Sequence, residues 1–283
     1  MIETIRNKAK EWLEKNDGGC VIGYERASDG MTARPVFIYK PYMVGSLIFD
    51  ETCVHNLSKY LLNRRGLKTA IVVKPCDSRG INLLINEHQL DRESIYVIGV
   101  VCPGMKDAHF GRIEDRPLSK CRVCLHHTPA VYDVLVGEPQ PETASRDYSD
   151  VARIEGISIH ERNAFWKEQF ERCIRCYGCR QVCAGCYCQE CFVDELDPLW
   201  VGIRSGPEDN WIWNIGRAFH LSARCIGCGE CERVCPVGIP LMLANRKLEK
   251  ESADLFDFEP GMDAGTAPPF ATFLKEETLE KVE

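Results

Sequence analysis

The sequence predicts an α/β domain with a parallel sheet over residues 1–150, a smaller α+β cysteine-rich domain over 151–250, and an extended tail over 251–283. Three observations carry that division. Apolar β-rich runs alternate with helical patterns in the first half, the signature of βαβ units. In the second half two runs of four cysteines share the spacing C-x2-C-x2-C-x3-C: Cys173, Cys176, Cys179, Cys183 and Cys225, Cys228, Cys231, Cys235. The end of the chain mixes Pro260-Gly261 and Pro268-Pro269 with acidic residues, a composition that buries too little apolar surface to fold alone.

The elements follow in order. Ile2, Ile5, Ala9, Trp12 and Leu13 fall near helical spacing among Lys and Glu, so residues 2–15 form a surface helix closed by Asp17-Gly18-Gly19. Cys20 to Tyr24 and Pro35 to Tyr39 are short strands. Val54 to Arg65 puts Leu57, Tyr60 and Leu61 on one face and stops at Gly66, which predicts a helix. Lys68 to Lys74 is a strand, Asp77 or Ser78 caps a helix carrying Ile81, Leu84 and Ile85, and Ile95 to Val101 is the next strand. Glu138 to Asp150, with Pro139 and Pro141, is a linker. Ala164 to Arg172, Ile212 to Ser222 and Leu241 to Glu251 are the later helices.

Composition narrows the chemistry. The chain has 17 cysteines, 45% hydrophobic residues and a formal charge of -7. Met1 to Lys15 is charged and amphipathic without the apolar stretch of a signal peptide, and no run approaches the roughly 18 apolar residues of a membrane span. The thiols therefore point to metal in a reducing, cytoplasmic compartment rather than to disulfides. An acidic chain without a basic stripe disfavours nucleic acid. No G-x-G-x-x-G follows a strand, so nothing supports a Rossmann-type nicotinamide site.

A 4Fe-4S cube offers four iron corners, and a C-x2-C-x2-C loop wraps three thiolates onto one cube while the fourth cysteine points elsewhere. Zinc also takes four cysteines, but it favours paired C-x2-C hooks over triple runs. The region resembles a bacterial-type dicluster ferredoxin, in which the fourth thiolate ligates the other cluster. That resemblance assigns Cys173, Cys176, Cys179 and Cys235 to one cluster and Cys225, Cys228, Cys231 and Cys183 to a second. Ala184 stands where a proline normally follows, and residues 184–224 are an insertion. Within the insertion Cys186, Cys188 and Cys191 are candidates for a further cluster, completed by Cys53, Cys20 or a partner chain, or for zinc. Cys20 and Cys53 otherwise read as buried apolar thiols.

Cys76 and Cys102 each follow the carboxyl end of a parallel strand, where open α/β sheets place their ligands. Cys121 and Cys124 add a C-x2-C hook in a loop without secondary structure of its own. These four are candidate ligands of a third 4Fe-4S cluster, with a zinc site or dispersed core thiols as the alternatives. Lys74 and Arg79 at the same edge are candidates to stabilise an anionic flavin or a phosphate, and Arg79 equally to neutralise the cluster. His126 and His127, beside Cys124, are candidates for ligands or proton carriers, against the reading as surrounding or surface residues that the rarity of histidine ligation outside Rieske centres favours.

The series Val73-Lys74-Pro75-Cys76-Asp77, Ile98-Gly99-Val100-Val101-Cys102 and Cys121-Arg122-Val123-Cys124 through Val134-Leu135-Val136-Gly137 is similar to the beta subunits of deazaflavin-reducing hydrogenases and formate dehydrogenases. The resemblance implies a cluster beside FAD, with Cys76, Cys102, Cys121 and Cys124 at the ligand positions. Trp213 to Leu241 resembles the ferredoxin modules of multisubunit anaerobic electron-transfer complexes. Together these imply an iron-sulfur electron-transfer subunit. It would relay electrons through several 4Fe-4S clusters between a formate dehydrogenase or hydrogenase and a flavoprotein of the heterodisulfide-reductase type. The alternative is a flavin-bearing oxidoreductase subunit that reacts directly with a deazaflavin or similar hydride carrier. The tail, with Phe256, Phe258, Phe270 and Phe273, is either disordered or an arm that orders on a partner.

Overall fold

The computed structural model describes residues 1–142 and 146–269; Phe270 and Phe273 lie outside the described residues. Helix α1 (Ile2–Lys15) forms as its spacing predicts and buries Ile5, Ala9 and Leu13. Strands β1 (Cys20–Arg26), β2 (Ala33–Ile38) and β3 (Thr69–Val73) lead to helix α2 (Pro75–Asn86) and strand β4 (Ile95–Val100). A hairpin of β5 (Lys106–His109) and β6 (Arg112–Pro117), the single turn α3 (Ser119–Arg122) and strand β7 (Val134–Val136) complete this half.

The five-stranded sheet has the order β2-β1-β3-β4-β7. β1, β3, β4 and β7 run parallel, and β2 pairs antiparallel with β1, so the sheet is mixed rather than wholly parallel. The short connection from β1 to β2 permits only a hairpin, whereas the crossover through α2 permits a parallel pair. Both faces are covered. Helix α1 packs against Val21, Ala70, Val72 and Ile98 on one side. Ile81 and Leu84 of α2 pack on Ile22, Ile71 and Val73 on the other. A strand buried on both faces reads as an unbroken apolar run, which β3 does.

The helix expected over Val54 to Arg65 is instead a 3-10 segment, Ser58–Arg64. Tertiary contacts decide this. Leu57 N donates to Asp77 Oδ1 at 2.9 Å, and Ser58 N donates to Asn56 Oδ1 at 3.0 Å, pinning the segment against the start of α2. Gly80 makes the approach possible, since a Cβ there would lie 2.2 Å from Ser58 Oγ.

The C-terminal half comprises α4 (Ser149–Glu155), α5 (Ile159–Glu171), α6 (Gly178–Gln181), α7 (Pro207–His220), α8 (Glu230–Arg233) and α9 (Leu241–Phe256). Ser158 and Glu161 form a reciprocal capping box that starts α5. α6 and α8 are one-turn helices inside the two cysteine runs. Among the described residues of this half no strand forms, so the expected α+β character is corrected to helices joined by loops. The cysteine loops consume the backbone in tight turns instead, with Arg175, Tyr177, Gly227 and Gly229 at positive φ. No helix of the described residues is long and apolar enough to cross a membrane.

Helix α9 continues five residues past its expected end at Glu251. Residues 257–269 then return over α2. Arg79 donates to Pro260 O at 2.9 and 3.0 Å, Asn82 to Gly261 O at 3.0 Å, and Asn86 to Ala264 O at 3.0 Å. Arg79, Asn82 and Asn86 fall on one helical face, so a strap of carbonyls can run along it. The described part of the tail thus docks on its own chain.

Candidate iron-sulfur centres

The parallel register of β3 and β4, with Val73 opposite Gly99, brings the next residues of both strands to one sheet edge. Cys76 there opens α2 and Cys102 follows β4. The β5–β6 hairpin, which sequence reasoning missed, returns the chain so that α3 delivers Cys121 and Cys124 to the same place. The hook therefore carries one helical turn, where none was expected. All four cysteines line one cavity. Met105 N donates to Cys121 Sγ at 3.4 Å, and the Cys124 thiol donates to His126 O at 3.3 Å. Burial pushes the Cys76 thiol up to about 11 and the Cys102 thiol up to about 12. Metal coordination would reverse this by deprotonating the thiols outright.

Lys74 and Arg79 sit at this edge, but both are committed within the chain. Lys74 is fully buried and donates to Asp77 Oδ2 at 2.9 Å, to His55 O at 2.8 Å and to the Tyr24 hydroxyl. Arg79 pairs with Glu259 at 3.1 Å besides holding Pro260. His126 bridges Glu142 and Glu259 at 2.7 Å each, and His127 Nδ1 lies 2.9 Å from Cys102 O.

A second cavity is lined by Cys183, Cys225, Cys228 and Cys231. Burial pushes the Cys225 thiol up to about 12 and raises Cys228 and Cys231 further. Cys173, Cys179 and Cys235 pack in one apolar group around Phe170 and Ile239, while Cys176 is exposed. Ile239 N donates to Cys235 Sγ at 3.4 Å.

Whether anionic clusters suit these places is tested by Arg217 of α7. It is 4% exposed, lines the second cavity, and its Nε has no hydrogen-bond partner among the described residues. A buried guanidinium with an unmet donor is costly unless a negative group completes it. Burial opposes its charge, and the sulfurs of Cys183, Cys231, Cys186 and Cys179 favour it. The residues fit thiolate-bound clusters. Among the described residues no three His, Cys, Asp or Glu side chains close around a single ion. A cube is held through four separate corners, so its sulfurs stand further apart than around one ion.

Among the described residues the three insertion thiols do not close around a single ion. Cys186 donates to the Cys183 sulfur, which lowers the Cys183 thiol. Cys191 packs near Trp213, Cys173 and Cys179, and Cys188 is exposed. Cys20 and Cys53 are both 0% exposed in the sheet core, as apolar thiols. Sequence reasoning missed Arg217, Lys120 and Glu259. A cation next to a C-x2-C hook, as Lys120 is, was the one available signal.

Comparison with known proteins places these cysteines in context. A 4Fe-4S binding domain profile matches residues 220–240, which hold Cys225, Cys228, Cys231 and Cys235. The F420-dependent formate dehydrogenase subunit beta of Methanocaldococcus jannaschii is 24% identical, covering 92% of this chain and 92% of that protein. A putative ferredoxin-3 of Sinorhizobium fredii is 34% identical over 23% of this chain and 63% of its own length. The F420-dependent formate dehydrogenase 1 subunit beta of Methanococcus maripaludis is 38% identical, covering 92% of this chain and 90% of that protein. Identity at that level across nearly all of both chains decides the matter: the chain belongs to the family of F420-dependent formate dehydrogenase beta subunits.

Proposed function

We propose that this chain is the electron relay of a formate dehydrogenase complex and holds three 4Fe-4S clusters. Cys173, Cys176, Cys179 and Cys235 would hold the first, Cys225, Cys228, Cys231 and Cys183 the second, and Cys76, Cys102, Cys121 and Cys124 the third. The observation that carries the reading is the convergence of cysteines far apart in sequence: four of them line each of two cavities. Bound cubes supply one-electron redox chemistry.

The chain's own residues set the conditions. Thiolates fix each site, and N–H donors such as Met105 N and Ile239 N reach ligand sulfurs. Cys102, Cys228 and Cys231 are buried and the other thiols of the second and third sites half-buried, whereas exposed Cys176 leaves the first open to a partner. The relatives' names support a formate-oxidising subunit as one partner. A flavoprotein of the heterodisulfide-reductase type on the other side is the extension of that reading.

A second reading keeps a flavin in the N-terminal half. A groove of about 760 Å³, lined by Phe49, Asp50, Thr52, Lys106 and Arg116, adjoins the cavity of Cys76, Cys102, Cys121 and Cys124 through Gly104 and Met105. Its size suits a cofactor. Lys74 and Arg79 do not line it.

Formate added anaerobically to a complex of this chain with its dehydrogenase subunit tests the relay. The visible iron-sulfur absorption of this chain bleaches within a turnover. Unchanged absorption while the dehydrogenase subunit is reduced would refute the assignment.

A further inference from the structure

The third and second cysteine sets meet where the two halves of the chain touch. Cys76 packs with Leu83, Ile226 and Cys228 in one apolar group. Ile226 reaches α2 because Gly80 has no side chain; a Cβ there would lie 3.2 Å from Ile226 Cδ1. Lys120, the residue before Cys121, runs along this contact. Its methylenes cover Gly229, next to Cys228, where a Cβ would lie 3.0 Å from Lys120 Cδ. Its ammonium donates to Val54 O at 3.3 Å, and no carboxylate of the described residues lies within 4.0 Å of it. The same side chain lines the cavity of Cys76, Cys102, Cys121 and Cys124.

The Lys120 side chain is half-buried, and a partly desolvated ammonium with one carbonyl partner among the described residues is favoured by negative charge nearby. The groups whose charge favours it against burial are Cys76, Glu230 and Cys228. We propose that Lys120 is a positioning cation shared by the third and second cluster sites, offsetting the negative charge of both thiolate sets at once. This rests on the third cluster of the proposed function. Reduction adds negative charge to a cluster, so a fixed cation at the junction favours the reduced form on both sides. The first site, where Arg217 donates to Cys179 O at 3.1 Å, serves as the internal reference.

The test compares Lys120→Gln and Lys120→Arg with the wild type in the anaerobically purified full chain, by iron analysis and redox titration followed by electron paramagnetic resonance. Lys120→Gln makes reduction of the second and third clusters about tenfold less favourable, which is a fall of about 59 mV for a one-electron couple. The first cluster stays put, and Lys120→Arg keeps wild-type potentials. Full iron content with unmoved potentials in Lys120→Gln overturns the shared role, as does a shift confined to one of the two sites. Should Lys120→Gln lose iron, Lys120→Arg decides: wild-type iron and potentials support a role for the charge, and iron loss there too overturns it. About eight irons in the wild type would remove the third cluster, and this proposal with it. About twelve irons with unmoved potentials would leave that reading standing and remove the role of Lys120 alone.

Discussion

Asp77→Asn probes the support beneath Cys76. Asp77 and Lys74 are both 0% exposed and 2.9 Å apart. Asp77 also accepts Lys74 N at 2.8 Å and Leu57 N at 2.9 Å, so one carboxylate ties the start of α2 to the preceding strand and to the 3-10 segment. Removing its charge leaves a buried ammonium without its counter-ion, which costs about 3–5 kcal/mol. At about 1.4 kcal/mol per factor of ten, amide exchange across residues 69–86 accelerates by roughly two to four orders of magnitude. Hydrogen exchange read by mass spectrometry measures it directly. The replacement Lys74→Met with Asp77→Asn, which removes both charges and keeps a side-chain oxygen for the backbone donors, exchanges more slowly than Asp77→Asn alone. Exchange in Asp77→Asn within about tenfold of the wild type would refute the claim that this pair holds the Cys76 edge.

Two further predictions concern the contacts between the halves. Burial, followed by the adjacent Arg233 guanidinium, depresses His55 to about 4 from an ordinary value of 6.5. Between those values the unfolded chain binds a proton that the folded chain does not, so stability falls as pH drops from about 6.5 to 4, by at most about 1.4 kcal/mol per pH unit. Urea midpoints measured across that window show the slope in the wild type and its loss in His55→Asn. In the strap, Gly261→Ala places a Cβ 2.4 Å from Arg79 O at a φ of +78°. Left-handed backbone alone costs a side chain about 1–2 kcal/mol, so exchange across residues 257–269 rises at least about tenfold. Unaltered protection would show that the strap is not held by this close approach.

How much of this was legible in the sequence differs by level. Periodicity gave α1 to the residue, and the unbroken apolar run of β3 announced a strand covered on both faces. The two cysteine runs were legible because iron-sulfur ligation demands fixed local spacing. The convergence of Cys76 and Cys102 followed from strand direction alone. What could not be read were features set by distant contacts. The 3-10 segment at Ser58–Arg64 obeys Asp77 and Gly80 rather than its own helical pattern. The return of residues 257–269 depends on Arg79, Asn82 and Asn86 offering donors along one face. Three thiols within six residues suggested a shared site; among the described residues they do not close around a single ion, and Cys188 is exposed. Lys74 looked available for a ligand because its burial against Asp77 is invisible in a linear reading.

The central claim, that three sets of four cysteines each hold a cube, is tested most directly by iron and zinc analysis of the anaerobically purified wild-type chain. About twelve irons per chain and no stoichiometric zinc are expected. About eight irons, or a zinc ion in place of one set of four, would contradict it.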